Sequence, residues 1–154
     1  NPNSIYYMNQ DDNSGSLYYT YYRDKILKEL DGIDIKDTLL VQIKNDLSQD
    51  DVLDVDVDKV TSELKSFCNK QGYTDLSSIL NDVDDIDADK LNNMSEGDIS
   101  ALKKHLIEAT YNLKRMSNDI DSYNLSKYIC LSLIAVLVFV ILAFVVYIIR
   151  DSRY

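Results

Sequence analysis

Four carboxylates with the spacing of a cation-binding loop lie between residues 85 and 96. Asp85, Asp87 and Asp89 alternate with other residues, and Glu96 is the twelfth residue of the same stretch. Carboxylates at positions 1, 3, 5 and 12 suit a hard cation such as calcium, which takes about six to eight oxygen ligands at roughly 2.4 Å. These four residues are therefore the candidate metal ligands.

The segment from Asp85 to Lys104 resembles an EF-hand or dockerin segment, and that resemblance implies calcium binding. Lys90 stands where that family has the glycine of a sharp turn. A second acidic stretch, residues 54–59, repeats the spacing but has Lys65 at its twelfth position. The alternative interpretation is that these aspartates cap helices and solubilise turns. We expect no cofactor, with calcium as the one candidate.

Other residues that could take part in catalysis or metal binding occur singly. His105 is the only histidine, so it lacks the partners that acid–base or metal chemistry needs. Cys68 suits an apolar helix face, and Cys130 lies in an apolar segment, so we expect no disulfide within the domain. Four glycines are too few for a phosphate-binding loop or a set of tight catalytic loops. The sequence predicts a protein that is not an enzyme.

Residues 128–149 contain no charged residue and predict a transmembrane helix. Twenty-two residues at about 1.5 Å each span roughly 33 Å, enough for a hydrocarbon core of ~30 Å. Tyr128 and Tyr147 lie near the two ends, where tyrosine favours the interface. The competing interpretation, a buried core helix, requires the remaining, mostly polar chain to cover a helix that is apolar on every side. We judge that cover insufficient and expect a single-pass membrane protein.

Orientation in the membrane is not determined by the charges that flank this segment, because basic residues lie on both sides. The chain begins with Asn rather than Met, so we expect a processed or trimmed form. Asn93-Met-Ser95 is a glycosylation acceptor if the domain is extracytoplasmic. We prefer a type I surface or envelope protein over a tail-anchored protein with a cytosolic domain.

Apolar residues at intervals of three and four predict short helices across residues 17–94. We expect helix starts at Ser16, Asp37 and Thr74, and helix ends near Gly32 and Gly72. Residues 52–57 alternate apolar and acidic side chains, so a short strand is the second interpretation there.

A near-heptad apolar seam predicts one long helix from residue 95 into the membrane, with nothing to interrupt it. It packs either on its own chain or on a second copy. The seam residues are candidate interface residues, together with three tyrosines near the start of the chain: Tyr18, Tyr21, Tyr22, Leu102, Leu106, Ala109, Leu113, Met116 and Ile120. The tyrosines either form a partner surface or pack into the domain.

These patterns predict an all-α protein with a small bundle, a stalk helix and one continuous transmembrane helix. The expected divisions are a flexible arm at 1–16, an acidic helical domain at 17–94, a juxtamembrane helix at 95–127, a transmembrane helix at 128–149 and a tail at 150–154. A net charge of −10, concentrated in residues 1–99, argues against binding to nucleic acid. We expect an interaction or assembly protein for a protein partner, such as a surface or envelope component of a virus or parasite. The alternatives are a tail-anchored trafficking or apoptosis-regulating factor and a calcium-responsive adaptor.

Overall fold

A computed structural model describes residues 12–83, 86, 88–120 and 124–152 of the chain. These residues form seven α-helices and no strand, so the all-α prediction is confirmed for them. The elements are α1 (Asp12–Asp31), α2 (Thr38–Leu47), a 3-10 turn (Val52–Asp54), α3 (Val57–Gln71), α4 (Thr74–Asp82), α5 (Ala88–Asn92), α6 (Glu96–Asp119) and α7 (Leu125–Ser152).

Short polar side chains begin several of these helices, as the sequence predicts. The Asp37 carboxylate accepts hydrogen bonds from the backbone N–H groups of Leu39 and Leu40, which start α2. The Ser95 hydroxyl accepts the N–H of Asp98 at the start of α6. Gly72 ends α3 with a φ of 77°, a left-handed conformation that glycine adopts without steric cost.

Two local predictions differ from the structure. Residues 12–16, assigned to a flexible arm, belong to the first turns of α1, so this helix begins at Asp12 and not at the expected start, Ser16. Residues 1–11 lie outside the described residues. Residues 52–57, where a strand was the second interpretation, begin with the 3-10 turn, and the Asp51 carboxylate caps it by accepting the N–H of Leu53. The aspartates here therefore act as helix and turn caps.

The predicted continuity between the stalk and the apolar helix is wrong. α6 ends at Asp119, Ile120 is extended (φ −73°, ψ 130°), and α7 begins at Leu125. Residues 118–124 are mostly Asn, Asp and Ser, whose side chains compete with the helical backbone and favour turns. α6 packs along α7, where its apolar seam is buried.

The apolar helix α7 is the centre of the bundle. It contacts α1 most extensively and also packs against α6, α2, α3, the 3-10 turn and α5. The expectation that the polar chain is too small to cover this helix is therefore wrong. Each surrounding helix has only one apolar stripe, but stripes from several directions together enclose a helix that is apolar all round.

A buried arginine joins two of the covering helices. Arg23 on α1 is 4% exposed, and its guanidinium donates hydrogen bonds to the carbonyl oxygens of Leu47 at 3.4 Å and Gln49 at 2.6 Å. Its charge is also paired with Asp24 at 2.8 Å. The guanidinium thus satisfies carbonyl groups at the C-terminal end of α2, which the helix itself leaves without partners.

Candidate functional site: the enclosed apolar helix and its flanks

Among the described residues, one helix is long and apolar enough to cross a membrane. Its candidate span is Leu125–Ile148, 24 residues, and 89% of its most apolar window is buried inside the bundle. A helix of this kind is stable where its surface is covered by protein or by lipid, and unstable where it faces water. The bundle supplies the protein cover.

A polar cluster holds the first turn of α7 against the loop between α3 and α4 and the first turn of α4. Lys127 Nζ lies 2.9 Å from the Asp75 carboxylate and 5.7 Å from the centre of the Tyr73 ring. The Tyr73 hydroxyl donates to Asn124 Oδ1 at 3.3 Å. The same Asn124 oxygen accepts the backbone N–H of Lys127 at 3.2 Å, which caps α7. We call these four residues the clasp.

The clasp changes the acidity of two of its members. Burial raises the pKa of Tyr73. Burial also acts to raise the pKa of Asp75, but the hydrogen bonds from Lys127 and from the backbone N–H of Leu76 outweigh it and leave that pKa below the ordinary value of 3.8. Asp75 therefore stays ionised and keeps its partner on α7 through the neutral pH range.

Beneath the clasp, the two cysteines are in direct contact. The Sγ atoms of Cys68 on α3 and Cys130 on α7 are 3.2 Å apart, and both residues are 0% exposed. The sequence analysis expected no disulfide because it assigned Cys130 to a membrane span, away from Cys68. In this structure α7 packs on α3 and brings the two thiols together, and both cysteines are free. The hydrogen bond with Cys130 lowers the pKa of the Cys68 thiol, although burial and Asp75 act to raise it.

An aromatic groove runs between α1 and α6 above α7. Its cavity has a volume of about 400 Å³. Tyr22 stacks on Phe139 with ring centres 5.4 Å apart and planes 15° apart. The Tyr18 hydroxyl donates to that of Tyr22 at 3.1 Å, and Tyr111 lines the opposite wall. The groove thus brings together two of the three predicted interface tyrosines, whereas Tyr21 is 61% exposed beside it.

Tyr19, which is not among the predicted interface residues, is the most buried of these tyrosines. It is 2% exposed, its ring lies against Phe139, and its hydroxyl has no hydrogen-bond partner. Burial, with Tyr111 nearby, raises the pKa of Tyr19 to about 12. A buried hydroxyl without a hydrogen-bond partner costs about 1–3 kcal/mol of stability.

The predicted interface seam of α6 faces the bundle interior. Leu106, Ala109 and Leu113 are buried, and Leu102, Met116 and Ile120 are partly buried against the same core. This arrangement is the intramolecular one of the two that the seam allows. Pairing of the seam with a second copy requires α6 to leave α7.

The structure describes only two of the four predicted metal ligands. Asp85 and Asp87 lie outside the described residues, whereas Asp89 is in the first turn of α5 and Glu96 in the first turn of α6. Within the described part of the chain, no group of three or more His, Cys, Asp and Glu side chains could hold a metal ion.

Two further residues from the sequence analysis lie at the surface. His105 Nε2 lies 3.8 Å from a carboxylate oxygen of Asp82. The predicted glycosylation acceptor, Asn93, is exposed in the turn after α5. The position of Asn93 is therefore accessible to a glycosylating enzyme.

Comparison with known proteins identifies no relative: no family model matches the chain, and neither a curated protein nor a solved structure is similar to it.

Proposed function

We propose that this chain is a membrane-anchored, non-enzymatic interaction protein whose anchor is α7 and whose acidic helices bind a protein partner. The observation that carries the proposal is a helix of membrane length, Leu125–Ile148, with no charged residue from position 128 onward. The free energy of a helix of that composition falls when it enters a bilayer. The anchored chain is, in our preferred arrangement, a type I surface or envelope component.

The bundle and the bilayer compete for the same helix. The residues of α7 that face the core, such as Leu137 and Ile141, are the residues that lipid must surround in the inserted form. Insertion therefore opens the bundle and leaves the apolar faces of α1 and α6 without their cover. We propose that the closed bundle is the water-soluble form and that the partner binds the inserted form. The binding site is the surface that α7 has left, between the apolar faces of α1 and α6, and we call it the seat.

The chemistry of that seat defines the partner. The seat accommodates an apolar helix, as α7 itself does, and the chain around it has a net charge of −10. The partner segment is accordingly an amphipathic helix with an apolar face and basic flanks. A designed leucine-faced helix with lysine flanks should bind the vesicle-inserted protein at least tenfold more tightly than the same helix with glutamate flanks. Equal binding of the two peptides contradicts this part of the proposal.

Membrane anchoring is tested by alkaline carbonate extraction of the full chain expressed in cells. The protein should remain with the membrane pellet. Leu137→Arg, at the middle of the span, should shift it to the supernatant or to an aggregate, because a central charge costs about 3 kcal/mol on insertion. Leu125→Arg is the matched control, since that residue lies at the end of the span and is already 49% exposed. Full extraction of the unaltered chain contradicts an anchor role.

A second candidate function is a tail-anchored trafficking or apoptosis-regulating factor. A uniformly apolar helix surrounded by amphipathic helices favours it, because a bundle of that type keeps an anchor soluble before insertion. Protease protection in intact cells, together with a glycosidase shift at Asn93, separates the two. A glycan or protection from cytosolic protease supports the type I arrangement, whereas an unglycosylated, cytosol-accessible domain supports the second candidate.

A further inference from the structure

The thiol pair beneath the clasp has the arrangement of an unformed disulfide. Cys68 and Cys130 are the only cysteines in the chain, and their Sγ atoms are 3.2 Å apart. A disulfide bond is about 2.05 Å long, so the two sulfurs need to approach by only about 1 Å. They are separated by 62 positions along the chain and therefore meet through tertiary packing alone.

The surroundings of the pair keep it in place. Cys68 is in the last turn of α3, immediately before Gly72 ends the helix, and Cys130 is in the second turn of α7. The clasp holds the start of α7 to the next segment of the chain from outside, through the ion pair between Lys127 and Asp75 in the first turn of α4. The buried and the exposed contacts thus join the start of α7 to the corner between α3 and α4.

We propose that Cys68 and Cys130 form a redox site whose intramolecular disulfide ties α7 to α3 and withholds the membrane-length helix from the bilayer. The site rests on the proposed function, since withholding matters only if α7 inserts. In the reduced chain α7 is free to leave the bundle. In the oxidised chain Cys130, near the start of the span, remains bonded to the covering helices.

The chemistry balances with a peroxide as the oxidant. The Cys68 thiolate attacks one oxygen of hydrogen peroxide, forming a sulfenic acid and releasing hydroxide. The Cys130 sulfur then attacks the sulfenic sulfur, the S–S bond forms, and the sulfenic oxygen leaves as water. Two thiols and one peroxide thus yield one disulfide and two waters. A dithiol reductant reverses the reaction by thiol–disulfide exchange.

Two features of the site favour this order of events. The hydrogen bond that lowers the pKa of Cys68 increases its thiolate fraction, which makes it the attacking residue. Because neither thiol is exposed, oxidation requires a small oxidant or a brief opening of the bundle. Peroxide satisfies the first condition.

The test uses the purified full chain in detergent-free buffer, first reduced and then divided into treated and untreated halves. Hydrogen peroxide should lower the intact mass by two hydrogens and prevent alkylation of both cysteines after denaturation. A cross-link that closes a loop of this size should raise the melting temperature by roughly 10 °C. In flotation with phosphatidylcholine–phosphatidylserine vesicles, the reduced protein should float, and the oxidised fraction that floats should fall at least tenfold.

The single variants Cys68→Ala and Cys130→Ala are matched controls that should float equally with and without peroxide and show no rise in melting temperature. The main comparison, oxidised against reduced unaltered chain, requires no variant to fold. Two alkylatable thiols after peroxide, or a disulfide only between chains, overturns the redox site. Equal flotation of the reduced and the oxidised protein overturns the proposal that the disulfide withholds α7 from the bilayer. The disulfide could form and raise the melting temperature while the reduced chain fails to float. That outcome overturns both the control of insertion and the proposed anchor, and it leaves the disulfide itself established.

Discussion

The two longest helices at the C-terminal side, α6 and α7, differ in how much of their position is encoded in their own residues. α6 buries one stripe, Ile99, Leu106, Ala109 and Leu113, and exposes the opposite face. α7 is buried over 89% of its apolar window and has no polar face to turn toward water. An amphipathic helix therefore specifies which side faces the core, whereas a uniformly apolar helix specifies only that it must avoid water.

A charge at the centre of α7 is expected to have the largest effect. Leu137 is 0% exposed, and Leu137→Asp places an unpaired carboxylate among apolar side chains. We expect a loss of more than about 4 kcal/mol in the free energy of unfolding. Asn112→Asp, which adds the same charge on the exposed face of α6, is the control and should cost less than about 0.5 kcal/mol. Urea unfolding followed by circular dichroism measures both, and similar losses would show that α7 is not enclosed.

Truncation of a buried side chain of α6 is expected to have an intermediate effect, because it leaves a cavity. Leu106→Ala removes most of a side chain that is 0% exposed, and we expect it to cost about 3 kcal/mol. The control is Glu108→Ala on the outer face of the same helix, with a change within about 0.5 kcal/mol. If the seam of α6 instead paired with a second copy, the Leu106→Ala loss would depend on protein concentration. Unfolding at two concentrations a hundredfold apart distinguishes these cases.

Loss of the clasp is expected to have the smallest effect. Asp75→Asn removes the partner of Lys127; because the Asp75 side chain is 47% exposed, we expect a cost of only about 0.5 kcal/mol at pH 7. The folded-state pKa of Asp75 lies below its ordinary value of 3.8, so this contribution is complete above that value and is lost as pH falls through the lowered pKa.

Below that pKa the variant and the unaltered chain should therefore be equally stable. The control, Asp34→Asn, breaks a pair in which both side chains are 88% exposed, and it should change stability little at any pH. Thermal melting across the acid range provides the comparison. A difference that persists at the lowest pH would contradict the assigned role of the carboxylate.

Much of the local structure could be read from single residues. Asp37, Ser95 and Gly72 begin or end helices where short-range chemistry predicts, because caps depend on neighbours within about four residues. The seam of α6 is likewise visible as a spacing. The Cys68–Cys130 contact was not predictable in this way: nothing near either cysteine indicates the other, and only the packing of α7 on α3 brings the two together.

The sequence by itself determined that the chain is helical, that α6 has one apolar side and that residues 128–149 must be kept from water. These properties follow from composition and from the spacing of residues along one helix. Only the tertiary structure decided that the bundle's own helices provide the cover, that the seam of α6 packs on α7 and that two distant thiols meet. Burial is a property of every surface around a residue, and most of those surfaces come from other parts of the chain.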